Sequence, residues 1–318
     1  MNSITCMKHY YLVMFERLIN QKNFSLDRLA TFCELLDAGS IGDATRFDSS
    51  RQSKFSRQVK ELESFFGEEL LDRRSKPHRA TEKGLQLARI VRPCLTELED
   101  FIVSCNEEEP DRIVFGAGES LIQWLLIPEI RPRLRNELPE AGVVFQNLQT
   151  EAIISSLQNG EIDIGFVRKN AVLKNLKSTK SIPLGYRLFI PKKFRAKLKS
   201  PVNLQQLHDL PVALLEGTGQ LRSTIDLLSK EAGTKLNVVT ECSSSTQLAL
   251  LVNRKECCVI LPSFAAGDQF GQVNRQTTDD YTISGFKKLE RKMCFAWNPK
   301  RTEVRPIIEQ VAKICERS

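Results

Sequence analysis

The chain has 318 residues, of which 41% are hydrophobic and 27% charged, and it carries a net charge of +7. That length exceeds a single small core, and the balance is that of a globular protein rather than a disordered chain. It contains no run of about 18 uncharged apolar residues, so no helix is expected to span a bilayer.

The first stretch, MKHYYLVMFERLINQ, has an apolar patch, but Glu16 and Arg17 interrupt it and no small-residue cleavage site follows. Residues 1–24 read as an N-terminal extension, with Met7 and Met14 as alternative starts. Nine cysteines without a Cys-x-x-Cys pair fit a reducing compartment, so the expected location is the cytoplasm, with no membrane partner. Cys33, Cys94 and Cys258 sit among apolar neighbours and read as small core residues. His9, His78 and His208 lie far apart and near no cysteine at ligand spacing, so neither a metal nor a cofactor is expected.

Ser25 to Leu36 reads as a helix, capped by Ser25 and closed by Gly39. Ser40 then caps a short second helix that carries Ile41 and Ala44 inward. Asp48, Ser49 and Ser50 break that helix and cap a third, which turns Phe55, Val59, Leu62 and Phe66 to one side. The exposed first turns of the third helix carry Arg51, Gln52, Ser53, Lys54, Ser56 and Arg57. Between Arg46 and Lys60 five cations stand against the single anion Asp48. Arg73, Arg74, Lys76, Arg79 and Lys83 form a second cluster, against Glu82.

Two short helices joined by a tight turn, the second polar at its start, make a helix-turn-helix, and that start is the part that enters the major groove of double-stranded DNA. Arg51 suits the acceptors of guanine and Gln52 the edge of adenine. Lys60 and the second cluster suit phosphates, which position a protein without reading sequence.

Here the chain resembles the LysR-type transcriptional regulators. The matching residues are Gly39-Ser40, Ala44, Gln52, Ser56-Arg57-Gln58-Val59-Lys60, Leu62-Glu63, Gly67, Leu70-Leu71, Arg73, Thr81 and Gly84. The resemblance implies a winged helix-turn-helix over 25–84 whose wing is Arg73 to Arg79, with Arg74 and Lys76 beside the minor groove or phosphates. Thr45 stands where the family usually has Ala, and Asp48 where it has a buried Leu. These departures suggest a shorter second helix, with Phe47 covering the core. Arg51 and Ser53 replace the common Ser and Pro.

From Thr81 to about Asn106 the chain reads as one long helix with Leu87, Val91, Cys94, Leu98, Phe101 and Cys105 on a heptad seam, and Pro93 is expected to kink or bound it. The seam either packs on its own domain or, as the resemblance implies, pairs two subunits into a homodimer, with a homotetramer as the further assembly. Residues 85–110 are thus the linker (dimerisation) helix, and NEEEPD, residues 106–111, breaks its pattern.

Beyond it, strand-like and helix-like segments alternate, as in α/β units. RIVFGAG, GVVFQNL and EIDIGFVRK read as strands, Leu121 to Leu138 as the first helix, and EAIISSLQNG as a helix capped by Thr150. NGEIDIGFVR and LALLVNRKECCVILP continue the resemblance, which implies an effector-binding domain of periplasmic-binding-protein fold. The overall class is α+β multidomain: a winged helix-turn-helix, a long linker helix, and two α/β lobes, about 111–187 with 298–318 and about 188–297.

In that fold the cleft is lined by strand ends and helix N-termini, which suit small anions. The implied effector-binding residues are Glu119, Ser120, Thr150, Val167, Arg168, Gly217, Thr218, Ser243, Ser244, Ser245 and, in Pro262-Ser263, Ser263. Each Ser or Thr reads equally as an ordinary helix cap. Glu119 repels an anion, so the effector is cationic or hydroxylated, or absent. Lys255-Glu256-Cys257 stands where the family has Gly-x-Gly, which implies a less extreme turn or a repositioned loop. Cys257 and Cys258 invite a redox-sensor reading, but no neighbour that activates a thiolate can be named.

No Gly-x-Ser-x-Gly, Walker loop, His-Glu-x-x-His or dinucleotide glycine fingerprint is present, so no enzyme activity is expected. The expected function is sequence-specific transcriptional regulation modulated by a small-molecule effector, with RNA polymerase a candidate partner. The alternative is a constitutive DNA-binding protein whose cleft is closed or degenerate.

Overall fold

The computed structural model describes residues 15, 17, 18, 21–46, 48–74, 79–105, 112–194, 198–217, 220–267 and 272–317, and it divides into two compact units, Met1–Cys105 and Asn106–Ser318. The expected role of Phe47 lies outside the described residues. Among those residues no helix is long and apolar enough to cross a membrane.

The first unit opens with α1 (Leu26–Ala38), where the Ser25 hydroxyl accepts from the amide of Arg28 and Gly39 closes the helix at φ 75°. The four-residue α2 (Ile41–Ala44) follows its Ser40 cap. Thr45 is fully buried, and its hydroxyl donates to the carbonyl of Ile41, which satisfies a polar group in the place of the expected Ala. Asp48 caps α3 (Ser49–Phe66) by accepting from the amides of Ser50 and Arg51.

Phe32, Leu35, Phe55, Val59 and Leu62 meet in the core of this unit. Phe66 does not join them. It lies in the last turn of α3, beyond the start of α1, and stays exposed against the rings of Phe24 and Phe65. Gln58 is buried instead: its Oε1 accepts from Thr31 at 3.0 Å and its Nε2 donates to Asp27, so the amide is satisfied without water.

The strands β1 (Leu71–Asp72) and β2 (Arg79–Ala80) pair antiparallel as a short ribbon. Thr81 then caps α4 (Glu82–Cys105), accepting from the amide of Gly84 at 3.0 Å. A Cβ on Gly84 would come within 2.2 Å of the Leu70 carbonyl oxygen, so only glycine lets α4 approach the backbone just before β1 this closely. The helix continues through Pro93, which therefore does not bound it.

The seam of α4 divides along its length. Leu87, Ala88, Val91 and Leu95 pack on the core of the first unit, whereas Leu98, Phe101 and Ile102 are exposed. Cys94, expected in a core, is exposed too.

The second unit holds two sheets. The first has the order β4-β3-β5-β13-β6, with β7 beside β13. Its strands are β3 (Arg112–Ala117), β4 (Gly142–Asn147), β5 (Ile164–Arg168), β6 (Lys177–Ser178), β7 (Ile182–Leu184) and β13 (Arg291–Trp297). β3 pairs parallel with β4 and β5, and β13 runs antiparallel to β5. The second sheet has the order β10-β9-β11-β8-β12. It contains β8 (Tyr186–Pro191), β9 (Pro211–Leu215), β10 (Asn237–Cys242), β11 (Cys258–Pro262) and β12 (Thr278–Tyr281).

The chain therefore crosses between lobes at Gly185, and returns between Tyr281 and Arg291. The return strand 291–297 belongs to the first lobe rather than the second, since its apolar run pairs with β5 and faces the helix α10 (Ile307–Glu316) at the end of the chain.

The first helix of this unit starts two residues earlier than expected, as α5 (Glu119–Leu121). It continues without a break as a π-helical turn over Ile122–Ile130 and ends as α6 (Arg131–Glu137). The remaining helices are α7 (Thr150–Asn159), α8 (Gln220–Glu231) and α9 (Ser245–Asn253).

Candidate DNA interface and effector cleft

The start of α3 is built to present cations. Asp48 holds its first turn, and the Ser50 hydroxyl, followed by the amides of Arg51 and Ser50, keeps the Asp48 carboxyl below the usual carboxylate range. Arg51, Ser53, Lys54, Arg57 and Lys60 are exposed beyond this cap, while Gln52 and Ser56 are half-buried.

Arg51 stands 3.8 Å from Glu34, Lys54 3.8 Å from Asp27, and Arg57 3.7 Å from Glu61. Exposed pairs at such separations contribute about 0–1 kcal/mol, so these cations can exchange their partners for phosphates. Asp27, Glu34 and Glu61 thus hold the cationic row in place without cancelling it. Sequence reasoning missed Asp27 and Glu34 because nothing in the spacing shows which carboxylates of α1 lie beside α3, whereas Glu61 stands four residues after Arg57 on α3 itself, a spacing the sequence does show.

Arg73 and Arg74 are also exposed, but Arg73 is tied to Glu63 at 2.5 Å. Glu63 in turn accepts from the amides of Leu70 and Leu71 at 3.0 and 3.3 Å. That carboxylate therefore fixes the entry to the β1–β2 ribbon, and Arg73 acts on it from within the protein. Lys76 lies outside the described residues.

In the second unit, Glu119 and Arg168 stand at the C-terminal ends of the neighbouring parallel strands β3 and β5. Ser120 is half-buried in α5. Strand alternation turns the Val167 side chain to the opposite face from Arg168, where it is fully buried beside Ile153 and Leu157. Thr150 is the first residue of α7 and not its cap, a place taken by Gln149 without a side-chain bond.

Ser244 is the N-cap of α9 and forms a reciprocal box with Gln247, whose Oε1 also accepts from Ser243. The ordinary-cap reading therefore holds for Ser244, and Ser245 begins the helix. Gly217 is exposed at φ 83° after β9, and Thr218 lies outside the described residues. Ser263 follows β11, and its amide donates to the carbonyl of Gly185 at 2.9 Å, next to the lobe crossing.

Two groupings were not legible beforehand. Thr246, in the first turn of α9, donates to Glu119 at 2.9 Å and shares a 2.7 Å hydrogen bond with Ser244, which joins the two lobes. At the crossing strands, Arg168 lies on the same face as Arg291, one diagonal step along β13. Burial, then the charge of Arg168, lowers the proton affinity of Arg291, whose side chain bonds Tyr186. Burial raises Tyr186, against both arginines.

The turn at Lys255 also departs from expectation. Lys255 keeps the left-handed conformation, φ 63°, that suits a glycine, because its own amide and that of Glu256 bond back to Val252 and Leu251 and hold the α9 end closed. Cys257 and Cys258 are buried behind it. Burial, then Glu256, pushes the Cys257 thiol up to about 11, and burial, then Cys257, pushes Cys258 up to about 12. Neither is an activated thiolate.

Residues 106–316 match the family model described as LysR substrate binding domain. Residues 26–85 match that of a bacterial regulatory helix-turn-helix protein, lysR family. The chain belongs to the LysR family. The uncharacterized HTH-type transcriptional regulator YfeR of Shigella flexneri is 24% identical over 245 residues, which are 76% of this chain and 80% of that relative.

A full-length OxyR variant from Pseudomonas aeruginosa has the same fold at TM-score 0.62 and 17% identity, over 92% of this chain and 95% of that one. Full-length CbnR, solved with its target DNA, matches at TM-score 0.58 and 17% identity, over 92% and 99%. The expected LysR-type winged helix-turn-helix and two-lobed α/β domain are both present. This LysR-family protein is a DNA-binding transcriptional regulator with an effector-binding domain.

Proposed function

We propose that this regulator acts in the cytoplasm as a dimer joined through the exposed second half of α4, further assembled into a tetramer. Each dimer reads a pseudo-palindromic DNA site with two copies of α3. Arg51 and Gln52 meet base edges; Ser53, Lys54, Ser56, Arg57 and Lys60 meet the backbone; Arg74 and Lys76 of the wing flank the site. Arg73 supports the wing through Glu63.

The observation that carries this reading is the cationic first half of α3, exposed on an Asp48 cap. CbnR, of the same fold, was solved on its target DNA. RNA polymerase is the partner through which a bound dimer changes transcription, and the α/β unit performs no catalysis.

The effector enters between the lobes where α5 begins at Glu119 and Ser120 and β5 ends at Arg168, opposite Gly217, Ser243, Ser244 and Ser263. Glu119 on one side and the Arg168–Arg291 pair on the other give that edge two opposite charges, which suits a small zwitterion or hydroxy acid. Peroxide sensing by Cys257 or Cys258 is disfavoured by their burial.

The test is to select genomic fragments bound by the purified protein, with Arg51→Ala as control. A recurring inverted motif lost in the variant supports the reading. Diffuse binding that tracks only salt would leave a non-specific DNA coater.

A further inference from the structure

The two lobes exchange aromatic side chains. Trp124, carried by the first lobe, is 2% exposed and packs in an apolar cluster otherwise made of second-lobe residues, among them Phe189, Leu248 and Ala265. Phe264, which follows β11 of the second lobe, packs against that cluster and also against the core of the first lobe. Trp124 lies in the π-helical turn, whose wider winding rotates side chains off the stripe an α-helix would give them. Each lobe thus closes part of its core with a ring lent by the other, and an aromatic of this size buries roughly 150–250 Å².

A polar contact stands on the same edge. Glu119 precedes Trp124 in the same helical run, and Thr246 donates to its carboxylate at 2.9 Å across 127 positions of sequence. Thr246 is itself held by the hydroxyl of the α9 cap, Ser244. The carboxylate therefore meets α9 in its first turn, where a helix favours negative charge. Separating the lobes here would wet Trp124 and Phe264 and break this bond together. A cleft open in the free protein and closed by effector would have no such contact to lose.

We infer that Glu119–Thr246, with Trp124 and Phe264 behind it, is an interlobe lock that holds the effector domain shut on this edge before any ligand binds, so that the effector acts by releasing the lock. The inference rests on the effector reading above. A ligand shifts the lobes only through its different affinity for the locked and released arrangements, and Glu119 is where that difference arises.

Hydrogen–deuterium exchange on the full-length protein reads such openings directly, because the exchange rate follows the opening equilibrium. Glu119→Ala and Thr246→Val should speed exchange in peptides covering residues 119–130 and 258–267 together by roughly two- to tenfold, the worth of one hydrogen bond. Peptides of β3 and β9, inside each lobe, should keep their rates. Glu119→Gln retains an acceptor for the Thr246 hydroxyl and should stay near the parent. Unchanged rates in the Ala and Val variants, acceleration throughout the domain, or equal acceleration in the Gln variant would each overturn the lock. The exchange is read on the ligand-free protein, so the lock stands or falls independently of the effector reading, which a thermal-shift screen of the same protein against a metabolite set tests separately.

Discussion

Asp163 is 2% exposed and accepts from Arg301 at 2.7 Å, Arg305 at 2.8 Å and the amide of Val114 at 2.8 Å. It ties the segment after β13 to the start of β3, and so fixes the return of the chain to the first lobe. Desolvation offsets much of such a pairing, but deleting one partner leaves buried charge uncompensated. Asp163→Ala is expected to cost about 3–5 kcal/mol in urea unfolding followed by circular dichroism. An effect below about 1 kcal/mol would show that water already reaches the site. Gln52 poses a different question, because its loss should touch specificity and leave the fold alone. Gln52→Ala should lose about 1–3 kcal/mol of discrimination at one base pair of the selected site, measured against single-base substitutions. Equal weakening on every sequence would place Gln52 on a phosphate. The residues behind these two predictions differed in legibility. Gln52 stood out by its place in a polar first turn, while Asp163 sits in a strand-like run whose sequence shows no sign of the two arginines some 140 positions away.

At the scale of elements, α4 shows what periodicity can and cannot tell. The heptad seam was legible, and so was the helix, but a repeat names the face and not its occupant. Leu87 and Val91 pack on the helix's own unit, while Leu98, Phe101 and Ile102 are left exposed, at 43%, 60% and 54%. Three large side chains on consecutive turns form a patch that a soluble helix covers with a partner. Phe101→Glu should therefore halve the mass of the assembly in sedimentation, from dimer to monomer or from tetramer to dimer. Cys105, exposed in the single chain, supplies a second reading of the same face. Iodoacetamide should label it slowly in the parent and rapidly in the Phe101→Glu variant; equal rates would mean that α4 is bare in the assembled protein. Other elements hid for physical reasons. The π-helical turn has no pattern of its own, since its nine residues read as a continuous apolar helix with Pro128 inside. Thr150 looked like a cap because Thr is a good one, yet the cap lies one residue earlier and Gln149 takes that place.

For the whole molecule, alternation of strands and helices was enough to give two α/β lobes, but not to assign β13, because a buried apolar strand reads the same in either sheet. Partition between the sheets is decided by pairing with β5, a contact remote in sequence. Charge distribution was more informative than its total. A net +7 over 318 residues is modest, yet five cations fall between Arg46 and Lys60 against one anion. The ion pairs that Arg51, Lys54 and Arg57 make with α1 and α3 are long, so the row is free to neutralise phosphates and displace the counterions condensed on the DNA. Each phosphate neutralised contributes about 0.9 to the slope of log K against log salt. Lys60 lies on the exposed side of α3, past the residues suited to base edges, and is expected to serve one phosphate per subunit. Lys60→Ala should flatten the slope by about 0.9 per subunit, or about 1.8 for a dimer, and weaken selected and random duplexes by the same factor. A loss confined to the selected site, at unchanged slope, would move Lys60 from the phosphate backbone to a base edge and shift the docking of α3 by a turn.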